Sequence, residues 1–183
     1  YPREDHRHSI IHACLPTEAG MAICAGYGII LPVQSAFINW PQEPDSYLEQ
    51  ILGERSQRLN PLNDSHKQGI LLCAGSDGPC TDPDPIQWMH KACNHSVKEQ
   101  ALSIQEALKM CTYNGYYASF DEKERGSLEV GKAADMVILS ENPYSMDVTR
   151  LNELRVEQLL LGGRPYEKVS GNAVMQIIRG MRK

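Results

Sequence analysis

The chain alternates short apolar runs with longer stretches whose apolar residues recur at helical spacing. The first run, at 8–12, is short and β-branched at Ile10 and Ile11, and reads as a strand. Pro16 and Thr17 then open a helix with Glu18 in its first turn, running to about Cys24 and stopped by Gly26 and Gly28. Residues 29–34 are nearly continuously apolar, the pattern of a strand buried on both faces of a parallel sheet. A polar loop leads to a helix over 46–59, a third buried strand (GILLCA, 69–74), a Pro-rich loop and a helix over 86–93. Ser103 and Glu106 have capping-box spacing and open a helix to about Tyr117, with Ile104, Ala107, Leu108 and Cys111 on one face. Strands alternating with helices predict an α/β fold with a parallel sheet.

The grammar changes after Gly126. Residues 127–130 and 135–139 read as short strands joined by Gly131-Lys132, and 156–161 as another, ended by Gly162-Gly163. This places a domain boundary near 126. An α/β unit spans 1–126 and a small β-rich unit spans 127–167. A tail spans 168–183, with Val174, Ile177, Ile178 and Met181 on one helical face.

Composition narrows the function classes. Hydrophobic residues at 42% and charged residues at 22% describe a soluble globular chain. Its 183 residues fall short of a complete (β/α)8 barrel, which needs at least about 200. Lys+Arg 18 against Asp+Glu 23 argues against a nucleic-acid partner, because phosphate binding draws on a basic surplus. The terminal Arg179, Arg182 and Lys183 read as a solvated tail. Residues 19–42 carry no charge, but Gly20, Gly26, Gly28, Pro32, Gln34, Asn39 and Pro41 punctuate them, so no membrane span is expected. The charged N-terminal stretch is no signal peptide. Six cysteines without a C-x-x-C pair, some in apolar settings, point to reduced thiols in a cytoplasmic protein.

In parallel sheets the functional side chains gather at the C-terminal ends of the strands. That rule singles out His12, Gln34, and Ser76 with Asp77. An imidazole and a carboxylate suit zinc or a similar divalent ion. A carboxylate beside metal-activated water can also take its proton. Each residue alone has an ordinary structural reading, a core histidine and a turn aspartate; their common place on one rim gives the pair its weight. His6-Arg7-His8 puts two imidazoles on one face of a strand, against the competing reading of a polar strand start. Ser76 lacks the glycine of a G-x-S-x-G elbow, since Ala74 stands there.

These residues have a familiar arrangement. Asp5-His6-Arg7-His8-Ser9-Ile10-Ile11-His12-Ala13 resembles the D-x-R-x-x-I-x-H-A strand of the amidohydrolase superfamily, in particular its amidohydrolase-3 branch with the N-substituted formamide deformylase-like enzymes. Ile30-Leu31-Pro32-Val33-Gln34 resembles the next strand, and Gly75-Ser76-Asp77-Gly78-Pro79 the G-S-D-x-P of the last barrel strand. The G-S-x-x-x-G-K-x-A-D stretch from Gly126 to Asp135 is the most specific match. The resemblance implies a metal-dependent-hydrolase TIM barrel. His12 ends strand 6 as a metal ligand, and Asp77 ends strand 8 as ligand and general base. Gln34 ends strand 7 and lines the substrate pocket. It also implies hydrolysis of a non-peptide, amide-type C–N bond in a small molecule, by water activated on a divalent metal, zinc foremost.

The family's first-strand H-x-H lies several hundred residues before its last aspartate. His6 precedes Asp77 by 71 residues, so His6 and His8 are not that pair. The strand-4 lysine or glutamate and the strand-5 histidine are absent too, and the chain opens at Tyr1. The expectation is therefore a C-terminal part: strands 6–8 of the barrel plus strands of a small β-sandwich domain. Such a part is inactive alone, binds metal weakly or not at all, and partners the missing N-terminal barrel half. Open strand edges at 8–12 and 69–74 predict a homo-oligomer. The alternative is a non-catalytic regulatory or interaction module on the same fold, similar to exoenzyme regulators.

Overall fold

The computed structural model describes residues 3–166 of the chain. The expected tail helix lies outside the described residues.

Three extended segments lie side by side in parallel. Residues 8–12 bond to the segment that follows the first helix. The Ile30 N–H donates to the His8 carbonyl at 2.9 Å, and the Ile10 and His12 N–H groups donate to the Ile30 and Pro32 carbonyls at 3.0 and 2.9 Å. β1 (Leu31–Val33) then pairs in parallel with β2 (Leu72–Ala74), Leu31 opposite Leu72 and Val33 opposite Ala74. The C-terminal ends of all three segments thus share one rim.

Helices cover this sheet. α1 (Glu18–Tyr27) is capped by Thr17, whose hydroxyl accepts the Gly20 N–H at 3.0 Å. It runs past Gly26 and stops only at Gly28, where φ turns to +62°. The helix expected over 46–59 is shorter. α2 (Asp45–Leu52) ends at Gly53, at φ +59°, and Gly53–Arg58 winds on as 3₁₀ turn. α3 (Leu62–Lys67) has no periodic signal in the sequence, since Leu62 is its one aliphatic residue; that side chain is buried. α4 (Pro85–Cys93) starts on Asp84, whose carboxylate accepts the Ile86 and Gln87 N–H groups. The capping box of Ser103 and Glu106 forms as expected at α5 (Ile104–Cys111). The helix then breaks at Thr112, at φ −131° and ψ −96°, before α6 (Tyr113–Ala118). The Thr112 hydroxyl donates back to the Leu108 carbonyl at 2.7 Å there.

The core gathers Met21, Leu31, Val33, Leu62, Leu72, Met89, Ala107 and Met110 between sheet and helices. Leu151, from a 3₁₀ turn (Val148–Glu153) packed against α4, is fully buried in the same cluster.

Asp5 and Arg7 have a structural task. The Arg7 guanidinium lies 3.9 Å above the Tyr117 ring and 4.2 Å from the Phe120 ring centre. It pairs with Asp5 at 2.8 Å and Glu122 at 2.7 Å, and donates to the Tyr117 carbonyl. The start of the 8–12 segment is thereby fastened to the chain leaving α6.

Beyond Gly126 the strand expected at 127–130 does not form. Ser127 and Lys132 turn instead to the Glu129 carboxylate, at 2.6 and 3.3 Å, and this local ring of polar bonds replaces a ladder. β3 (Met136–Leu139), β4 (Val156–Leu161) and β5 (Arg164–Pro165) make an antiparallel sheet in that order. Gly162 and Gly163, at φ +56° and +76°, form the two-residue turn between β4 and β5. Asp135 ties this turn to the motif: its carboxylate accepts the Gly162 N–H at 2.7 Å and pairs with Arg125. The most specific sequence match is thus architectural.

Candidate functional site

His12, Gln34 and Asp77 are brought together, each just past the end of one parallel segment. Two of them sit in left-handed backbone, His12 at φ +70° and Asp77 at φ +52°. Non-glycine residues enter this region at a cost, and such strain gathers where side-chain placement matters. Around Asp77 a tight turn holds the backbone. The Cys80 N–H donates to the Asp77 carbonyl at 2.9 Å, the Gly78 N–H to the Ser76 hydroxyl at 3.1 Å, and the Thr81 hydroxyl to the Ser76 carbonyl at 2.6 Å.

His12 Nε2 lies 3.9 Å from Asp77 Oδ2, and both side chains are 41% exposed. Two ligands of one tetrahedral zinc, with bonds of about 2.0–2.1 Å, stand about 3.4 Å apart. The pair is therefore about half an ångström wider than a filled site, within the reach of a χ adjustment. Chemically the donor set fits: a neutral imidazole and a carboxylate. It is also incomplete. Catalytic zinc takes three protein ligands. Among the described residues no group of three or more His, Cys, Asp or Glu is arranged to hold an ion. Next to this pair, burial and then the hydrogen bond to the Asp77 carboxylate push the Cys80 thiol pKa up.

Gln34 is 5% exposed, and its Oε1 has no hydrogen-bond partner among the described residues. Its amide packs beside Gly75, where a Cβ would stand 3.5 Å from Gln34 Nε2, an ordinary contact. A buried carbonyl oxygen left unpaired is costly, so this one is an acceptor in want of a donor.

His6 and His8 are not brought to the rim. The His6 ring stacks on His8 with centroids 4.6 Å apart, and both its nitrogens are engaged. Nε2 bonds the Tyr27 carbonyl at 2.7 Å, and Nδ1 accepts the His8 N–H at 3.0 Å. Sequence reasoning missed two aromatic residues. The Phe37 ring lies nearly parallel to His12, 6.1 Å away at 11°, and Trp40 lies 5.0 Å from Phe37. Their only signal was position, three and six residues past Gln34.

Comparison with known proteins places the chain in a family. The model of the amidohydrolase family matches residues 1–166. YtcJ of Bacillus subtilis is 26% identical over 180 residues, covering 92% of this chain and 34% of its own. The N-substituted formamide deformylase of Arthrobacter pascens is 26% identical over 153 residues, covering 80% and 27%. This chain therefore spans about a third of the length of these relatives. Among solved structures, an uncharacterized metal-dependent hydrolase of Pyrococcus horikoshii superimposes with TM-score 0.67 at 26% identity, covering 78% of this chain and 30% of the other. An adenosine deaminase of Xanthomonas campestris with bound zinc gives TM-score 0.65 at 21% identity, covering 95% and 41%. The strand ends, the paired imidazole and carboxylate and the family match over residues 1–166 lead to one statement: the chain belongs to the amidohydrolase family.

Proposed function

We propose that this chain is the C-terminal part of a metal-dependent amidohydrolase that cleaves a non-peptide, amide-type C–N bond in a small molecule. Residues 1–126 would supply strands 6–8 of its barrel and residues 127–167 strands of a small β-sandwich domain, with 168–183 as a terminal tail. The observation that carries the reading is the approach of His12 Nε2 and Asp77 Oδ2 to 3.9 Å from two separate segments. His12 and Asp77 would hold a divalent ion, zinc first; one structural neighbour is an adenosine deaminase with bound zinc. Such an ion supplies Lewis acidity to the scissile carbonyl and to the attacking water. Asp77 takes the proton of that water and returns it to the leaving nitrogen. Its solvent-open side chain leaves room for both transfers. Gln34 Oε1 accepts an N–H of the substrate, which gives this buried oxygen the partner it lacks among the described residues.

Two ligands give a weak site, so the remaining donors belong to the part of the enzyme that precedes residue 1, and this chain alone is inactive. The 8–12 segment supports a further chain at its side. Among the described residues no other segment pairs with its outer edge, and Ile10 and Ile11 are exposed, whereas at the opposite edge the Asn114 amide donates to the Leu72 carbonyl at 2.7 Å. That edge would be covered by the missing half-barrel or, without it, by a second copy.

Competition titration with zinc against a chromophoric chelator tests the ligand assignment. His12→Ala and Asp77→Asn should each weaken zinc binding by about tenfold or more. Unchanged affinity in both variants would refute it.

A further inference from the structure

We propose that the hollow between the loop after β1 and the loop after β2 is a subsite for a planar apolar substituent of the substrate, an aromatic ring first; that the ligand is an amide rests on the reading above. The hollow holds about 480 Å³ and begins at Pro79, two residues past Asp77. Trp40, Pro79, Gln87, Trp88 and Lys91 are among the residues that line it. An apolar cavity of about 150 Å³ already accepts benzene, so a ring and a short linker have space.

Three features give the hollow this chemistry. Aromatic faces run without a break from the candidate ligand to its wall: His12 to Phe37 at 6.1 Å, then Phe37 to Trp40 at 5.0 Å. Both tryptophans are half-buried, so part of each ring still meets water and can take a further contact. Several of the polar groups that line it are turned into the framework. The Trp88 indole N–H donates to the Asp82 carbonyl at 3.3 Å, the Lys91 ammonium to the Asn39 carbonyl at 3.1 Å, and the Asp84 carboxylate is spent on capping α4. What a ligand meets is the ring faces of Trp40 and Trp88, with Gln42, Asp82 and Gln87 beside them.

Trp40 and Trp88 are the only two tryptophans of the chain, so intrinsic fluorescence reports this hollow alone. The metal-free chain is titrated with phenylacetamide and with acetamide. Phenylacetamide should change the emission saturably, with half-saturation at least about tenfold below that of acetamide, the effect of burying one aromatic ring. Trp40→Ala, read at Trp88, should raise the phenylacetamide half-saturation by about fivefold or more, while Trp40→Phe keeps most of the binding. Ile23→Ser, on the far side of α1, should leave it unchanged. Equal half-saturation for the two amides, or wild-type binding by Trp40→Ala, overturns the subsite. If Trp40→Ala does not fold, the comparison of the two amides on the wild-type chain decides. Zinc binding at His12 is measured separately. Aromatic binding without a zinc effect at His12 and Asp77 leaves the subsite standing and removes the metal reading; the reverse outcome removes the subsite alone.

Discussion

Replacing Gly126 with alanine should destabilise the whole chain, because this glycine opens the most specific motif for a steric reason. Its φ is +89°, and a Cβ would stand 2.9 Å from Tyr116 Cδ2, 3.1 Å from Tyr116 Cβ and 3.3 Å from the Tyr113 backbone Cα. Left-handed backbone costs a residue with a Cβ about 1–2 kcal/mol. Forcing a methyl into packed surroundings adds about 1–3 kcal/mol. The lower entropy of the unfolded alanine chain returns only about 0.4–1 kcal/mol. The net loss is about 2–4 kcal/mol, a large part of an ordinary domain's stability of about 5–15 kcal/mol. In urea, with a slope of about 2 kcal/mol/M, the midpoint should fall by about 1–2 M. Far-ultraviolet circular dichroism reads the transition. Gly115→Ala is the opposite control. Gly115 lies inside α6 with no atom within 4 Å of a built Cβ, so alanine there should raise stability by about 0.5–1 kcal/mol. An unchanged midpoint for Gly126→Ala, or equal shifts at the two positions, would refute the steric account.

The Arg7 clamp should show in the pH dependence of stability. Hydrogen bonding to Arg7 holds the Glu122 carboxyl down to about 2, against about 4.3 in an unfolded chain. A lowered carboxyl contributes stability that is fully present above the unfolded value and is lost as pH falls through the folded one. Urea midpoints of wild type and Glu122→Gln should therefore differ at pH 7 and converge between about pH 4.3 and 2; a constant difference across that window argues against the pair. The open edge should govern association: sedimentation velocity at micromolar concentration should find wild type self-associated and the Ile10→Lys, Ile11→Lys double variant monomeric. A monomeric wild type would remove the predicted contact.

Much of the fold was legible where a local chemical cause acts. The capping box at Ser103 and Glu106, the helix start at Thr17 and the two-glycine turn at Gly162-Gly163 appear in the sequence because each is a short-range bond or a steric exemption. Helix ends were less legible. Gly26 lies within α1 without stopping it, whereas Gly28 and Gly53 end their helices in left-handed backbone, and the residue type is the same in all three. Residues 127–130 read as a strand from Leu128 and Val130, but among the described residues no neighbour pairs with them, and Ser127, Glu129 and Lys132 satisfy one another locally. α3 was invisible because its stability comes from burying Leu62 under other elements, not from its own periodicity.

The sequence by itself determined the alternation of strand and helix, and with it the parallel sheet whose ends place His12, Gln34 and Asp77 on one rim. That follows from chain direction: parallel segments put all their C-terminal ends on the same side. Distances and exposures were decided only by the tertiary structure. The 3.9 Å between imidazole and carboxylate, the unpaired oxygen of Gln34, the withdrawal of His6 into bonds with Tyr27 and His8, and the aromatic run through Phe37 to Trp40 all depend on how separate elements pack. Packing joins residues far apart in the chain, and no local pattern encodes which of them will meet.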